Sequence, residues 1–274
     1  MKKVLIYTSV VILTILVVGV ILIETYIVRV ELPHGAIMHV LPAHKDNQAH
    51  GAVILFPGGG YGCVKKWYEG YWWFPFYYRQ GYTVAVLDYR LPNHDHQIPM
   101  VDGAEAVQLM RMRAKEWNYD INNVGVMGFS AGGHLASTLM VSDSSTIRPD
   151  FSILFYPVIS MKKELAHHDS YYHLFGEKAS EELEDRYSNE LHVSDQTPPA
   201  FIALSSDDPE VKPKNSIRFY EEMRNKHRPV TLHMYPSGGH GWGYRLSFTH
   251  HQQMLADLKE WLSNRKQANE SNKE

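Results

Sequence analysis

Short apolar, β-branched runs alternate with segments of helical periodicity along most of this chain. The runs predict eight strands, at residues 27–32, 37–40, 52–56, 83–87, 124–127, 151–155, 200–204 and 230–235. The periodic segments predict helices at residues 71–80, 100–117, 132–140, 214–226 and 248–264. The first two strands would form a hairpin, whereas the later strands are separated by helices. We therefore expect an α/β fold in which helices cover both faces of a mostly parallel sheet with an antiparallel edge.

The overall composition is that of an ordinary globular protein. The chain has 274 residues, of which 44% are hydrophobic and 21% charged, and its formal net charge is -3. This balance excludes a disordered or fibrous chain and gives no reason to expect a nucleic acid partner. A single cysteine, Cys63, excludes both a disulfide framework and a cysteine-based zinc site.

The amino terminus forms a separate segment at residues 1–25. Lys2 and Lys3 precede an uncharged apolar run at residues 4–23, which as a helix would span about 30 Å, the thickness of a bilayer core. The lysines favour a cytoplasmic amino terminus, so the rest of the chain would lie outside the cytoplasm. We expect an uncleaved signal-anchor. A cleaved signal peptide, which would leave a secreted or periplasmic protein, and a buried core helix are the alternatives.

The remaining chain predicts one α/β domain at residues 26–265, followed by a polar tail at residues 266–274. One long stretch, residues 160–199, separates two strands without a strand-like run of its own. We interpret it as a small insertion over the carboxyl-terminal edge of the sheet, where loops build sites in such folds.

The first chemical motif is Gly-Phe-Ser-Ala-Gly at residues 128–132, between a predicted strand and a predicted helix. A serine at such a sharp turn exposes its hydroxyl, and the flanking glycines allow neighbouring segments to approach. The backbone N–H of Ala131 and the helix dipole would favour a negative charge beside Ser130. A plain glycine-rich helix start is the alternative.

The second motif is Pro-Gly-Gly-Gly-Tyr at residues 57–61, directly after the strand predicted at residues 52–56. Backbone N–H groups at Gly59 and Gly60 would suit the oxyanion of an acyl-transfer intermediate. A phosphate-binding loop is less consistent with the sequence, because no Gly-Lys-Ser/Thr follows. A flexible turn is the remaining alternative.

Two further motifs follow the last two predicted strands. Ser-Ser-Asp-Asp occupies residues 205–208, and Gly-Gly-His-Gly occupies residues 238–241. A carboxylate at a strand end can orient a histidine and stabilise its cation. The order Ser130, then Asp207 or Asp208, then His240 is that of one hydrolase architecture.

These motifs carry a family resemblance. From about residue 50 to residue 262 the chain resembles an α/β-hydrolase, and within that group the bacterial acetylxylan esterases and related carbohydrate esterases. The matching segments are Phe-Pro-Gly-Gly-Gly-Tyr at 56–61, Asp-Tyr-Arg-Leu at 88–91, Gly-Phe-Ser-Ala-Gly-Gly-His-Leu-Ala at 128–136, Thr-Pro-Pro at 197–199 and Gly-Gly-His-Gly at 238–241.

The resemblance implies a role for each catalytic group. Ser130 would be the nucleophile, His240 the base and then the acid, and an aspartate the residue that orients His240. The N–H groups of Gly59, Gly60 and Ala131 would form the oxyanion hole.

Two departures from the family pattern concern the loop and the acid. Pro57 stands where many esterases have histidine, so the oxyanion loop must be supported differently. In the acid motif, Asp208 keeps the family's valine and serine at Val211 and Ser216, while Lys212 replaces a proline. This pattern favours Asp208, with Asp207 as the alternative.

Aromatic side chains near the motifs are candidates for substrate contact. Tyr61, Trp67, Tyr68 and Trp242 are expected to line the pocket, while most aromatics of the helix predicted at residues 71–80 would face the core. The histidine-containing runs at residues 94–96 and 167–169 are interpreted as solvated loops, with metal ligands as the alternative, and serine hydrolysis needs no metal. We therefore expect no metal and no cofactor.

The sequence predicts a serine esterase that hydrolyses short-chain, chiefly acetyl, esters on a carbohydrate such as xylan. Its partner would be a small-molecule or oligosaccharide ester, and the membrane if the amino terminus is not cleaved. A peptidase of the same fold is one alternative. A membrane-anchored binding protein on an inactive hydrolase scaffold is another.

Overall fold

A computed structural model describes residues 26–43 and 50–271 of the chain. Its centre is a single sheet of eight strands: β1 (Val28–Glu31), β2 (Ile37–Leu41), β3 (Gly51–Phe56), β4 (Tyr82–Asp88), β5 (Val124–Phe129), β6 (Phe151–Phe155), β7 (Ala200–Ser205) and β8 (Val230–Tyr235). Each strand lies within two residues of its predicted position. The spatial order is β1-β2-β4-β3-β5-β6-β7-β8.

The sheet is mostly parallel with an antiparallel edge. β1 and β2 pair antiparallel as a hairpin, and β2 pairs antiparallel with β4. All later pairs are parallel, with Ile54 of β3 facing Ala85 of β4 on one side and Val126 of β5 on the other. The predicted α/β architecture is confirmed.

The central strands are covered on both faces. Every residue of β3, β5, β6 and β7 is buried. Strands in this environment need apolar side chains on both sides, which explains why they appear in the sequence as continuous apolar runs instead of an alternating pattern. The carboxyl ends of these parallel strands meet at one edge of the sheet, and the chemical motifs follow β3, β5, β7 and β8 at that edge.

Seven α-helices accompany the sheet within the described residues: α1 (Phe74–Arg79), α2 (Gln97–Arg113), α3 (Ala131–Met140), α4 (His168–Phe175), α5 (Glu181–Arg186), α6 (Lys214–Asn225) and α7 (His251–Ser271). Of the five helices predicted from the sequence, those corresponding to α3 and α6 differ from the observed bounds by one residue.

The helix predicted at residues 71–80 is divided in two. Residues Tyr71–Trp73 form a 3-10 turn, and α1 follows with Pro75 in its first turn. Because proline has no N–H, it is tolerated at a helix start but not inside a helix. The α-helix therefore begins at Phe74.

Two other helices differ from prediction at their ends. α2 starts three residues earlier than expected, with the Oδ1 atom of Asp95 accepting from the N–H of Gln97 at 3.0 Å. It ends at Arg113, ahead of Asn118, whose φ is 56°. α7 continues to Ser271, so the predicted polar tail at residues 266–274 begins inside this helix.

The insertion at residues 160–199, all of it described, contains α4, α5 and a 3-10 turn at Asn189–His192, with no strand. It packs against the loop after β3, where the Nδ1 atom of His173 lies 2.9 Å from the carbonyl oxygen of Gly60. The predicted position of the insertion is confirmed.

None of the helices within the described residues has both the length and the apolar character needed to cross a membrane. The signal-anchor predicted at residues 4–23 lies outside the described residues.

Candidate active site

The turn between β5 and α3 presents Ser130. This serine has φ 52° and ψ −117°, a left-handed conformation that is uncommon for a non-glycine residue and is often found at active sites. A Cβ atom on Gly132 would collide with the backbone oxygen of Phe56, and one on Gly128 would collide with that of Gly132. Both motif glycines are therefore required for the tight packing of α3 against β3 and β5.

Ser130, His240 and Asp208 form a continuous chain of hydrogen bonds. The Nε2 atom of His240 lies 2.8 Å from the Oγ atom of Ser130, and its Nδ1 atom lies 2.7 Å from the Oδ2 atom of Asp208. The side chains of His240 and Asp208 are only 6% and 1% exposed. The Oδ1 atom of Asp208 accepts from the N–H groups of Glu210 and Val211, both at 2.9 Å, which holds the carboxylate in place.

Asp207, the alternative acid, has a different position. It is exposed, and it accepts from the N–H groups of Gly238 and Gly239 at 3.2 and 2.8 Å. The hydrogen bond from Gly239 is the main reason why the pKa of Asp207 is lowered. Asp207 thus supports the loop that carries His240, while Asp208 contacts the imidazole itself.

The glycine loop after β3 lies beside the serine. A Cβ atom on Gly58 would be 3.0 Å from the Cβ atom of Ser130. Gly59 and Gly60 have φ values of 129° and 61°, which suit glycine. Within the described residues, no protein acceptor takes the N–H of Gly59, Gly60 or Ala131. These donors remain available to an oxyanion.

The loop is supported without the histidine found in many esterases. The hydroxyl of Tyr89 donates to the carbonyl oxygen of Pro57 at 2.7 Å. The N–H of Gly58 donates to the Oε2 atom of Glu69 at 2.9 Å. Neither Tyr89 nor Glu69 was identified as a functional residue from the sequence. Tyr89 lies in the family-like segment at residues 88–91, which was a signal for it, whereas no motif marked Glu69.

Two of the four predicted substrate contacts are buried instead of lining a pocket. Tyr61 is 1% exposed, and its hydroxyl lies 2.9 Å from the Nδ1 atom of His134. Trp242 is 3% exposed, stacks on Phe248 with ring centroids 4.1 Å apart, and donates from Nε1 to the Oγ atom of Ser205. The prediction for these two side chains fails because residues next to catalytic segments also pack beneath them.

The other two predicted contacts are accessible. Trp67 is 68% exposed, and its ring packs edge to face against that of Tyr71, with the ring centroids 5.4 Å apart. Tyr68 is half-buried under Arg245, whose guanidinium carbon lies 3.9 Å from the ring centroid. The carbonyl oxygen of Tyr68 also accepts from the N–H of Tyr244 at 2.7 Å, which places Tyr68 against the segment that follows His240.

A residue interpreted from the sequence as part of a solvated loop, His167, lies beside the triad. Its ring is nearly parallel to that of His240, with centroids 6.5 Å apart. The Nδ1 atom of His167 accepts from the N–H of Ser170 as the amino-terminal cap of α4. Burial and then the proximity of His240 lower the pKa of His167. No motif marks this residue, because only the folding of the insertion brings it to the site.

This arrangement of sheet and site is that of an α/β-hydrolase, and comparison with solved structures agrees. An acetyl ester-xyloside bifunctional hydrolase from Caldicellulosiruptor lactoaceticus superposes with a TM-score of 0.77 and 32% identity, over 83% of this chain and 88% of that one. A sugar hydrolase from Lactococcus lactis, at 24% identity, has the same fold with a TM-score of 0.74 over 90% of this chain and 100% of that one.

The family follows from the sequence comparison. The BD-FAE family model matches residues 38–223, and the chain belongs to this family. An acetylxylan esterase of Xylanibacter ruminicola is 41% identical over 221 residues, which cover 79% of this chain and 46% of that protein. Endo-1,4-beta-xylanase B of Butyrivibrio fibrisolvens is 33% identical over 72% of this chain and 33% of its own length. The chain thus spans half or less of the length of these two relatives.

Proposed function

We propose that this protein is a serine esterase that removes short acyl groups, chiefly acetyl, from a carbohydrate such as xylan. The hydrogen-bonded chain from Ser130 through His240 to Asp208 carries the proposal, because it is the arrangement that activates a serine hydroxyl. The similarity to an acetylxylan esterase and to an acetyl ester-xyloside hydrolase supports the substrate class.

In the first half of the reaction, the Oγ atom of Ser130 attacks the ester carbonyl while the Nε2 atom of His240 takes the hydroxyl proton. Asp208 stabilises the imidazolium that forms. The N–H groups of Gly60 and Ala131, with that of Gly59, bind the oxyanion. His240 then donates the proton to the departing sugar hydroxyl, which leaves an acyl group on Ser130.

In the second half, His240 removes a proton from water, and the resulting hydroxide attacks the acyl-enzyme. The same donors bind the second oxyanion. Collapse of this intermediate returns the proton from His240 to Ser130 and releases the carboxylic acid, acetate in the case of an acetyl ester. No metal or cofactor takes part in this scheme.

Sugar recognition would come from residues around the site. Trp67 offers an exposed aromatic ring on which the C–H face of a sugar can pack, and Tyr68 offers the part of its half-buried ring that Arg245 leaves open. The insertion at residues 160–199 contacts the oxyanion loop through His173 and therefore borders the acyl site. We assign Trp67, Tyr68 and the insertion to substrate binding.

The amino-terminal segment would hold the enzyme at the outer face of the cytoplasmic membrane. The uncharged run at residues 4–23, preceded by Lys2 and Lys3, supports this location. Cleavage of the segment would instead release the enzyme from the membrane.

The test is acetate release by the purified protein from acetylated xylo-oligosaccharides, from an aryl acetate and from the matched aryl amide, with Ser130→Ala as control. We expect release from both esters, little from the amide, and a loss of at least about 10³-fold in the variant. Activity on the aryl ester alone would retain the triad but contradict the carbohydrate substrate. Turnover that survives in the folded variant would contradict the triad.

A further inference from the structure

A buried carboxylate that the reaction scheme does not use lies beneath the site. Glu69 is 1% exposed, and it precedes the 3-10 turn that leads into α1. Its Oε2 atom accepts from the N–H of Gly58 at 2.9 Å, and its Oε1 atom accepts from the hydroxyl of Tyr156 at 2.8 Å. A carboxylate is costly to bury, so the presence of Glu69 at this position requires an explanation. The two hydrogen bonds that it accepts provide a starting point.

Through these bonds Glu69 connects the two loops that carry the reacting groups. Gly58 belongs to the oxyanion loop at residues 57–61. The hydroxyl of Tyr156 accepts from the N–H of Gly243, which belongs to the histidine loop at residues 238–244, at 2.8 Å. The ring of Tyr156 also packs edge to face against His240, with centroids 4.8 Å apart.

A glycine of each loop lies in close contact with Glu69. A Cβ atom on Gly58 would lie 3.0 Å from the Oε2 atom of Glu69, and one on Gly243 would lie 3.1 Å from its Cγ atom. Gly58 is at the same time in contact distance of Ser130. A displacement of Glu69 would therefore be transmitted to the oxyanion loop and to the histidine loop together.

Burial and hydrogen bonding act on the charge of Glu69 in opposite directions. Burial raises the pKa of Glu69, and the bonds from Tyr156 and Gly58 oppose that rise. Burial also raises the pKa of Tyr156, so its hydroxyl keeps its proton at neutral pH and donates it to Glu69. Each oxygen of Glu69 thus accepts a hydrogen bond, which is the arrangement that favours the ionised carboxylate.

We propose that Glu69 is a positioning residue that holds the oxyanion loop and the histidine loop in register with Ser130. The proposal rests on the serine esterase function, and it explains how the oxyanion loop is supported with Pro57 at its start. Donors to an oxyanion act only at hydrogen-bonding distance, and small displacements of such groups reduce the rate strongly. Glu69 therefore acts on the rate of the chemical step more than on substrate binding.

The test compares Glu69→Gln and Tyr156→Phe with Asp150→Asn in the full chain. Gln keeps the size of Glu69 but removes its charge and one acceptor. Asp150 is a matched control, because its carboxylate also accepts from a backbone N–H, that of Val124 at 2.7 Å, and pairs with Arg111 at 3.0 Å. Asp150 immediately precedes β6, at the opposite edge of the sheet from the site.

The first readouts are kcat and KM for an aryl acetate, with the concentration of active sites determined by titration with a fluorophosphonate. The melting temperature of each variant is measured as well. We expect Glu69→Gln to lower kcat by about 10- to 100-fold and Tyr156→Phe by about tenfold, with KM changed less than about threefold. Asp150→Asn should lower the melting temperature while kcat stays within about twofold.

If the Glu69→Gln protein folds and its kcat stays within about twofold of that of the unmodified protein, the positioning role of Glu69 is overturned. The serine esterase function would not be affected by that result. An equal loss of kcat in Asp150→Asn would reduce the effect to general destabilisation and would also overturn it. If Glu69→Gln fails to fold, Tyr156→Phe decides in the same way. An unmodified protein that neither labels nor hydrolyses the ester would overturn the serine esterase function itself.

Discussion

Two adjacent aspartates after β7 carry out different tasks because the chain turns between them. The carboxylate of Asp208 lies against the imidazole of His240 and is almost completely buried. The carboxylate of Asp207 is exposed and binds the N–H groups of Gly238 and Gly239. One side chain can therefore stabilise the imidazolium, while the other stabilises the loop that carries it.

These positions predict unequal effects of two otherwise identical substitutions. Asp208→Asn should lower kcat by about 10³- to 10⁴-fold, because an amide at this position stabilises neither the correct tautomer nor the cation of His240. Asp207→Asn should lower kcat by less than about tenfold, because the side-chain oxygen of Asn can still accept a hydrogen bond from the backbone of the loop. Steady-state kinetics on an aryl acetate measure both values.

Melting temperatures of the two variants serve as the control for folding. Equal losses of kcat in the two variants, or a larger loss in Asp207→Asn, would contradict the assignment of Asp208 as the acid.

At the scale of elements, helix α3 connects the site to the insertion through a buried histidine. The Nδ1 atom of His134 accepts from the hydroxyl of Tyr61 at 2.9 Å, and its Nε2 atom donates to the carbonyl oxygen of Tyr187 at 2.8 Å. Burial lowers the pKa of His134 from 6.5 to about 4. The imidazole is thus neutral in the folded protein and uses both nitrogens to hold the oxyanion loop and the insertion together.

This histidine predicts a stability that depends on pH. Between pH 6.5 and about 4 the unfolded chain binds a proton at His134 that the folded chain does not, so acid favours unfolding in this window. The free energy of unfolding is highest above pH 6.5, where His134 is neutral in both the folded and the unfolded chain. It decreases as the pH falls, and the titration of His134 accounts for at most about 3 kcal/mol of that decrease.

Urea unfolding of the unmodified protein and of His134→Gln between pH 7.5 and 4.5 measures this effect. The variant is expected to be less stable at neutral pH but to lose less stability on acidification, because Gln does not titrate. Other histidines contribute equally to both proteins, so the difference isolates His134. Parallel pH profiles would contradict the prediction.

At the scale of the whole molecule, the α/β-hydrolase domain and the amino-terminal segment are expected to act independently. The carboxyl-terminal edge of the sheet carries every group of the proposed reaction, and all of these groups lie after residue 50. The segment at residues 1–25 contributes none of them. Its proposed task is location, and catalysis should not require it.

The corresponding prediction concerns membrane fractionation of a tagged protein. The full chain should stay with the membrane pellet after an alkaline carbonate wash and be released by detergent, whereas residues 26–274 should remain in the supernatant. Both should hydrolyse an aryl acetate with the same kcat/KM per titrated site. A full chain that the carbonate wash removes with its amino terminus intact would contradict the anchor, and sequencing of the amino terminus detects cleavage.

The order of elements and the positions of the motifs could be predicted from the sequence because they depend on local patterns. β6 and β8 have the predicted bounds, since each is a short run rich in apolar or β-branched residues that lies between turn-forming residues. The positions of Ser130 and His240 after their strands follow from the glycines around them. The division of the helix at residues 71–80 could have been foreseen from Pro75.

Local sequence patterns were sufficient to predict the α/β class, the parallel sheet and the segments that meet at its edge, because strand and turn propensities act between near neighbours. The choice of Asp208 was already favoured by Val211 and Ser216, and its contact with His240 agrees with that choice. Only the folded structure shows that Tyr61 and Trp242 are buried, and that Glu69 and His167 lie at the site. These facts depend on contacts between segments far apart in the chain. Such contacts exist only once the sheet has brought the strand ends together, and no local pattern encodes them.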